Sequence, residues 1–386
     1  MTEQVSTQRP TRAATGAITT TIAVVIPVFL VGGLAVQMQQ ELRFDPAGLG
    51  LAVSVYFGVS ALASVPAGTL VERYGAVAMA RCGIVLAAVS MLGVALFATS
   101  LATLVAWLAL GAGANAAGQL ASNAALAAHI PARRQGLSFG LKQAAIPVST
   151  LLAGAAVPAV ALTLGWRWAF GFAAVLAAAA LPLVPAGTAR PRAAGGSPQR
   201  ATGALVVLGL AATLAAAAAN ALGTFLVDAS VDRGLAEGTA GLTLTLGSAV
   251  CVAARVSGGW QADLLPTRQV AVIAGLLTAG AAGLALLAVP GTATLVAGVV
   301  LGFGFGWAWP GLMNFAVVRL HPQAPAAATS ITQTGVYAGG CVGPLGLGAT
   351  ASALGYPAMW TVGAVAMLLA AVLMLAGSAL LRRHAA

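Results

Sequence analysis

Charge is what this sequence has least of. Of its 386 residues only 7% are Asp, Glu, Lys or Arg; eight are acidic, and Lys142 is the sole lysine beside seventeen arginines. A soluble domain carries about a quarter of its residues charged, so no water-facing surface can be built from this composition. Histidine is nearly as scarce. His129, His321 and His384 stand without the metal partners, nucleophile or phosphate loop that an enzyme embedded in a membrane would need, so no enzymatic activity and no cofactor or metal is expected. Cys82, Cys251 and Cys341 lie in apolar or small-residue stretches with no metal spacing and read as core thiols. Alternating strands are missing too: the apolar runs are continuous, which excludes a transmembrane β-barrel.

What is present is apolar. Hydrophobic residues make up 60% of the chain, and mean hydropathy is +0.96. At roughly 20 residues per crossing the chain has room for about twelve transmembrane helices. The fold class expected is therefore an all-α membrane protein. A net charge of +10 would point to nucleic acid in a soluble protein, but here the arginines mark loops. Fourteen fall in the tails and in the loops after even-numbered spans, and three (Arg43, Arg167, Arg233) fall in the opposite loops, with Lys142 left aside as part of a helix. That asymmetry puts both termini in the cytoplasm of a multi-pass inner (plasma) membrane protein with no nucleic-acid partner. Residues 1–16 form a polar tail, 17–186 a six-helix bundle, 203–381 a second bundle and 382–386 a second tail. The segment 187–202, with Arg190, Arg192 and Arg200 and no acid, is the cytoplasmic linker.

The two bundles are copies. Ala102-Thr103-Leu104-Val105-Ala106 returns as Ala293-Thr294-Leu295-Val296-Ala297 at a shift of 191 residues; Gly111, Gly113, Asn123 and Pro131 return as Gly302, Gly304, Asn314 and Pro322. Gln143 and Leu164-Gly165 return as Gln333 and Leu354-Gly355 at 190. Two parallel six-helix repeats predict a carrier with its site between the halves near mid-membrane. A channel would need a ring of like polar groups, which is not seen.

The short polar break Gly68-Thr69-Leu70-Val71-Glu72-Arg73-Tyr74-Gly75 joins spans two and three, and a degenerate copy holds Arg255, Gly259 and Asp263. With its two-repeat layout, the chain resembles the major facilitator superfamily, whose loop signature is matched by Gly68, Leu70, Glu72, Arg73 and Gly75. Ala76 and Val77 stand where that family has basic residues. The resemblance implies alternating access by a rocker-switch motion, with Glu72 and Asp263 as gate residues beside Arg73 and Arg255; simple capping of helix ends is the other reading. Gly136, Phe139-Gly140-Leu141-Lys142-Gln143 and Pro147 resemble the cyanate-permease-like branch, which implies small anionic or weakly polar solutes. Trp107 stands where proton-coupled drug exporters carry an arginine, and their span-five glycine-proline signature is missing.

Every acid maps to a tail, a loop or a span end, so no carboxylate is expected at mid-membrane. Lys142 is the exception among ionisable groups, about two turns inside span five. It reads either as the counter-charge of an anionic substrate, with Gln143 beside it, or as a side chain snorkelling to the headgroups. Asn115, Gln119 and Asn123 share a face of span four, with Asn123 and its mate Asn314 assigned to structure. Gln333 and Tyr337 have the same spacing in span eleven. Such amides serve as cavity lining or as glue between helices. Trp307 and Trp309 read as core or as a stacking wall. The expectation is a monomeric secondary carrier for a small organic or inorganic anion, with a proton as candidate coupling ion and lipid around it. Efflux of a neutral or amphiphilic compound is the alternative.

Overall fold

The computed structural model describes residues 8–130, 135–184, 203–264, 269–320 and 325–385. The linker 187–202, Arg133-Arg134, and the side chain of Asp263 lie outside the described residues. Helices account for nearly all the rest. The first half contains α1 (Gln8–Gly33), α2 (Ala35–Leu42), α3 (Pro46–Tyr74), α4 (Ala76–Phe97), α5 (Leu101–His129), α6 (Gln135–Ala156), α7 (Leu162–Leu164) and α8 (Trp166–Ala179). The second contains α9 (Gly203–Asp232), α10 (Glu237–Leu264), α11 (Gln269–Ala288), α12 (Thr292–Leu301), α13 (Pro310–Leu320) and α14 (Pro325–Ala385). Among the described residues eleven helical stretches are long and apolar enough to cross a membrane. The last, Thr332–Leu380, has 49 residues; at ~1.5 Å per residue that is more than twice the hydrocarbon thickness. Gly355 interrupts it with φ 82°, the backbone conformation that also turns the chain at Gly75 (φ 87°) and Gly165 (φ 97°). Twelve crossings result, six in each half.

Three boundaries differ from the expectation. The Gln37–Gln40 segment, expected as the end of the first span, belongs to a separate helix α2, offset from α1 at Leu34. Asp228 and Asp232 belong to the last turns of α9 rather than to a loop. Arg255 is not in the polar break: α10 continues to Leu264, so Arg255 lies more than two turns inside it. Glycines at 258 and 259 had suggested a turn, but in a membrane helix glycine admits a close neighbour without breaking the helix. Two spans carry π-segments, Val157–Ala161 after α6 and Gly302–Gly306 after α12, the latter running into a non-helical turn at Trp307–Trp309.

The halves meet along two antiparallel seams and one crossing point. In the first seam α6 lies against α10: Gly140 faces Gly259, the hydroxyls of Thr150 and Ser248 are 2.6 Å apart, and Gly154 faces Gly241. In the second α3 lies against α14, through Gly50 at Pro344, Phe57 at Gly340 and Gly58 at Cys341. The seams are repeat-related, since α3 corresponds to α10 and α6 to the first part of α14. At the crossing, Gly32 of α1 meets Gly223 of α9, its own mate at the shift of 191, and a Cβ on Gly32 would run into the Gly223 carbonyl oxygen. Two equivalent residues in contact place the pseudo-twofold axis there. By contrast, a Cβ added at Gly68 would meet no other part of the described residues within 4 Å.

Because the obstruction at Gly32 is backbone, it cannot turn aside. Gly32→Val is expected to cost about 1–3 kcal/mol from overpacking and to lower the thermal midpoint in detergent by several degrees, whereas Gly68→Ala leaves the midpoint unchanged.

Candidate functional site

Arg12, Arg73 and Arg81 make one end of the bundle basic, and Glu41, Asp45, Asp228, Asp232 and Glu237 make the other acidic. Toward the basic face, α5 and α6 hold Lys142. Its side chain is only 2% exposed, and Nζ donates to Gln119 Oε1 at 2.5 Å and to Asn123 Oδ1 at 2.8 Å. The four-residue spacing of these amides on α5 presents both oxygens to one ammonium. Lys142 therefore does not snorkel, and Asn123, assigned to structure from sequence, is one of its two partners. Both partners are neutral. Among the described residues the one ion pair is Arg167 with Glu41, far away at the acidic face.

One residue on, the backbone of Gln143 joins the halves. Pro147 has no N–H to give to the carbonyl four residues before it, so the Gln143 carbonyl is left out of the helical ladder. Arg255 Nη1 reaches it from α10 at 2.6 Å. The same guanidinium donates through Nε and Nη2 to the Trp307 carbonyl, at 3.0 and 2.6 Å, in the turn that interrupts the tenth span. Arg255 is 3% exposed and lies 5.8 Å from the centre of the Trp307 ring. That ring packs edge-on against Phe29 of the first half, with ring centres 5.6 Å apart.

The other expected residues divide between two places. Asn115 faces α3 and not Lys142: its Nδ2 donates to Ser60 Oγ at 3.1 Å, and its buried Oδ1 has no partner among the described residues. Tyr337 pairs with the Gln333 side chain and lies near Tyr56. At the basic surface Glu72 and Arg73 are exposed, with Arg73 over the Tyr74 ring at 5.4 Å. Lys142, Gln119, Gln143, Arg255 and Trp307 are thus brought together around α6, while Gln333 and Tyr337 sit on the other seam. The Gly68–Gly75 turn stands apart from both.

Family comparison fits this architecture. The model of the Major Facilitator Superfamily matches twice, over residues 14–207 and 208–385. The chain belongs to the major facilitator superfamily. Two solved structures similar to it are of a bacterial homologue of the human lysosomal transporter Spinster. One, inward-facing and occupied, has a TM-score of 0.72 and 17% identity over 98% of each chain. The other, inward-facing and unoccupied, has a TM-score of 0.73 and 15% identity over 97% of each. No curated protein matches the sequence. The fold and general transport role of this superfamily therefore apply to the chain.

For a transporter of this superfamily, the acidic face is where sequence reasoning missed most. Three carboxylates there bind neutral donors from the opposite half. Asp45 accepts from Ser352 Oγ at 2.8 Å, and the same Ser352 oxygen accepts from the Ala47 N–H. Glu237 accepts from Gln37 at 2.7 Å, and Asp228 from Gln39 at 2.7 Å and, within its own half, from the Tyr356 hydroxyl. The run Gln37-Met38-Gln39-Gln40 was the visible signal; its partners, some 200 residues away, were not. The backbone N–H of Gly48 and the hydroxyl of Ser352 hold the Asp45 carboxyl below its ordinary range.

A depressed carboxyl stabilises the folded state fully above the ordinary Asp value and loses that contribution as pH falls through its own lowered value. Ser352→Ala should therefore lower the thermal midpoint at pH 7, and its difference from the parent protein should shrink as pH falls below about 4. Melts across that range in detergent check this; a difference independent of pH would contradict it.

Proposed function

We propose that this transporter is a secondary carrier that moves a small organic or inorganic anion across the plasma membrane. The halves rock about the Gly32–Gly223 crossing to expose a central site to one side and then to the other. Its basic face lies in the cytoplasm with both termini, following the arginine asymmetry, and it works as a monomer. The bundles and linker take the bounds 17–186, 187–202 and 203–381.

The observation that carries the substrate class is Lys142. An ammonium inside a membrane protein is costly unless paired, and this one is solvated by two amide oxygens with no carboxylate on it. Arg255, equally buried, rests on two carbonyls and the Cys251 side chain, with no carboxylate on it among the described residues. Two buried cations without counter-ions favour a ligand that brings negative charge and disfavour cationic cargo. Phe139–Gln143, the stretch resembling the cyanate-permease-like branch, supports the same class. Gln143, Gln119, Asn115 and Trp307 complete the candidate lining, with Gln333 and Tyr337 from the second seam. Glu72, Arg73, Asp263 and the glycines at 68 and 75 gate the cytoplasmic side, where Gly68 has free space in front of it. The acid–amide bonds seal the outer side, a state in keeping with the inward-facing conformations of the similar structures.

Thermal-shift titration of purified protein with small carboxylates, cyanate-like anions and neutral amphiphiles tests the reading. An anion is expected to raise the midpoint of the parent protein, with apparent affinity falling at least about tenfold in Lys142→Gln, the loss of one charge-assisted contact. Stabilisation of both proteins by neutral amphiphiles alone would replace anion transport with efflux of such compounds.

A further inference from the structure

We propose that the anion is gripped by the amide N–H groups of Gln119 and Asn123, with Lys142 behind them as the positioning residue; this deepens the anion reading above and rests on it. An ammonium has three donors and no acceptor. Whatever hydrogen-bonds to it must turn an oxygen toward it, and both amides do so: Gln119 Oε1 and Asn123 Oδ1 meet Lys142 Nζ at 2.5 and 2.8 Å. The lysine thus fixes which way each planar amide faces. Gln119 Nε2 and Asn123 Nδ2 are turned away from it, and among the described residues neither has an acceptor.

Accessibility follows the same division. Lys142 is 2% exposed, whereas Gln119 and Asn123 are only half-buried. Neither of their nitrogens is sealed in, as the unpartnered Asn115 oxygen one turn away is. The packing of α5 says where they open. This helix packs on α1, α3 and α4 of its own half and joins neither the α6–α10 nor the α3–α14 seam. Gly118 and Ser122 turn to α1, at Val24 and the Ala17 carbonyl, and Asn115 turns to α3. Gln119 and Asn123 are left on the side toward α6, in the interval between the seams.

The two kinds of group then do different work. The N–H groups recognise an acceptor, and the ammonium supplies charge from behind without being touched. A cation on the oxygen of an amide polarises its N–H into a stronger donor, and an ionised acceptor gains most from such a donor. The ligand class is therefore a small carboxylate or similar oxyanion. A neutral compound of the same shape keeps the hydrogen bonds and loses the attraction of the charge.

Propionate and its neutral isostere propionamide, titrated by thermal shift against the full chain, separate the two roles. In the parent protein propionate should bind at least about tenfold more tightly than propionamide. Gln119→Met and Asn123→Leu each remove one N–H donor and leave Lys142 the other amide. Affinity for both probes should fall several-fold in each while the ratio between them holds, and either variant decides the matter should the other not fold. Lys142→Gln should collapse the ratio toward one, a change that loosened packing would not produce. If removing an amide instead leaves propionate affinity unchanged or raises it, the lysine itself is the ligand; the anion carrier then stands and the amide grip is overturned. A parent protein that binds propionate no more tightly than propionamide overturns both.

Discussion

Within a bilayer no water is at hand to solvate a freed carbonyl or a buried charge, and each such group has to find its partner in the protein. That constraint organises this molecule. Pro147 frees a carbonyl and Arg255 crosses between the halves to take it. The interrupted tenth span frees another, and the same guanidinium takes that as well. Lys142, which could have reached the headgroups, is held by Gln119 and Asn123 instead. Both buried cations are met by neutral oxygens and by no carboxylate among the described residues, and that imbalance is what supports the proposal of an anionic cargo.

The same constraint explains the unequal ends of the bundle. At the acidic face, carboxylates bind amides and hydroxyls across the halves without any arginine or lysine in those links. Each link is a charge-assisted hydrogen bond, strong enough to close a face yet made of partners that water can replace one at a time. A gate of buried ion pairs would leave uncompensated charge on opening, at far greater cost. Along the seams and at the Gly32–Gly223 crossing, glycine lets the backbones of the two halves touch.

The fold was legible because its signals are global: scarce charge, continuous apolar runs and a repeat at 191 residues. The site was legible in part. A solitary lysine inside an apolar span was conspicuous, and the spacing of Asn115, Gln119 and Asn123 placed them on one face; which of them meets the lysine depends on how α5 and α6 are rotated, and helix periodicity does not set that. Arg255 was misplaced because Gly258-Gly259 reads as a turn in isolation, while packing against Gly140 keeps the segment helical. The acids at 45, 228 and 237 looked like ordinary loop charges, since a hydrogen bond between residues 200 positions apart leaves no local pattern.

Solute counterflow in proteoliposomes tests the central claim most directly, because exchange through an alternating site does not depend on which ion, if any, is coupled. Vesicles loaded with an unlabelled carboxylate that binds the purified protein should accumulate the labelled carboxylate transiently, and vesicles loaded with a neutral amphiphile should not. Exchange of the neutral compound with no movement of the carboxylate would contradict the account.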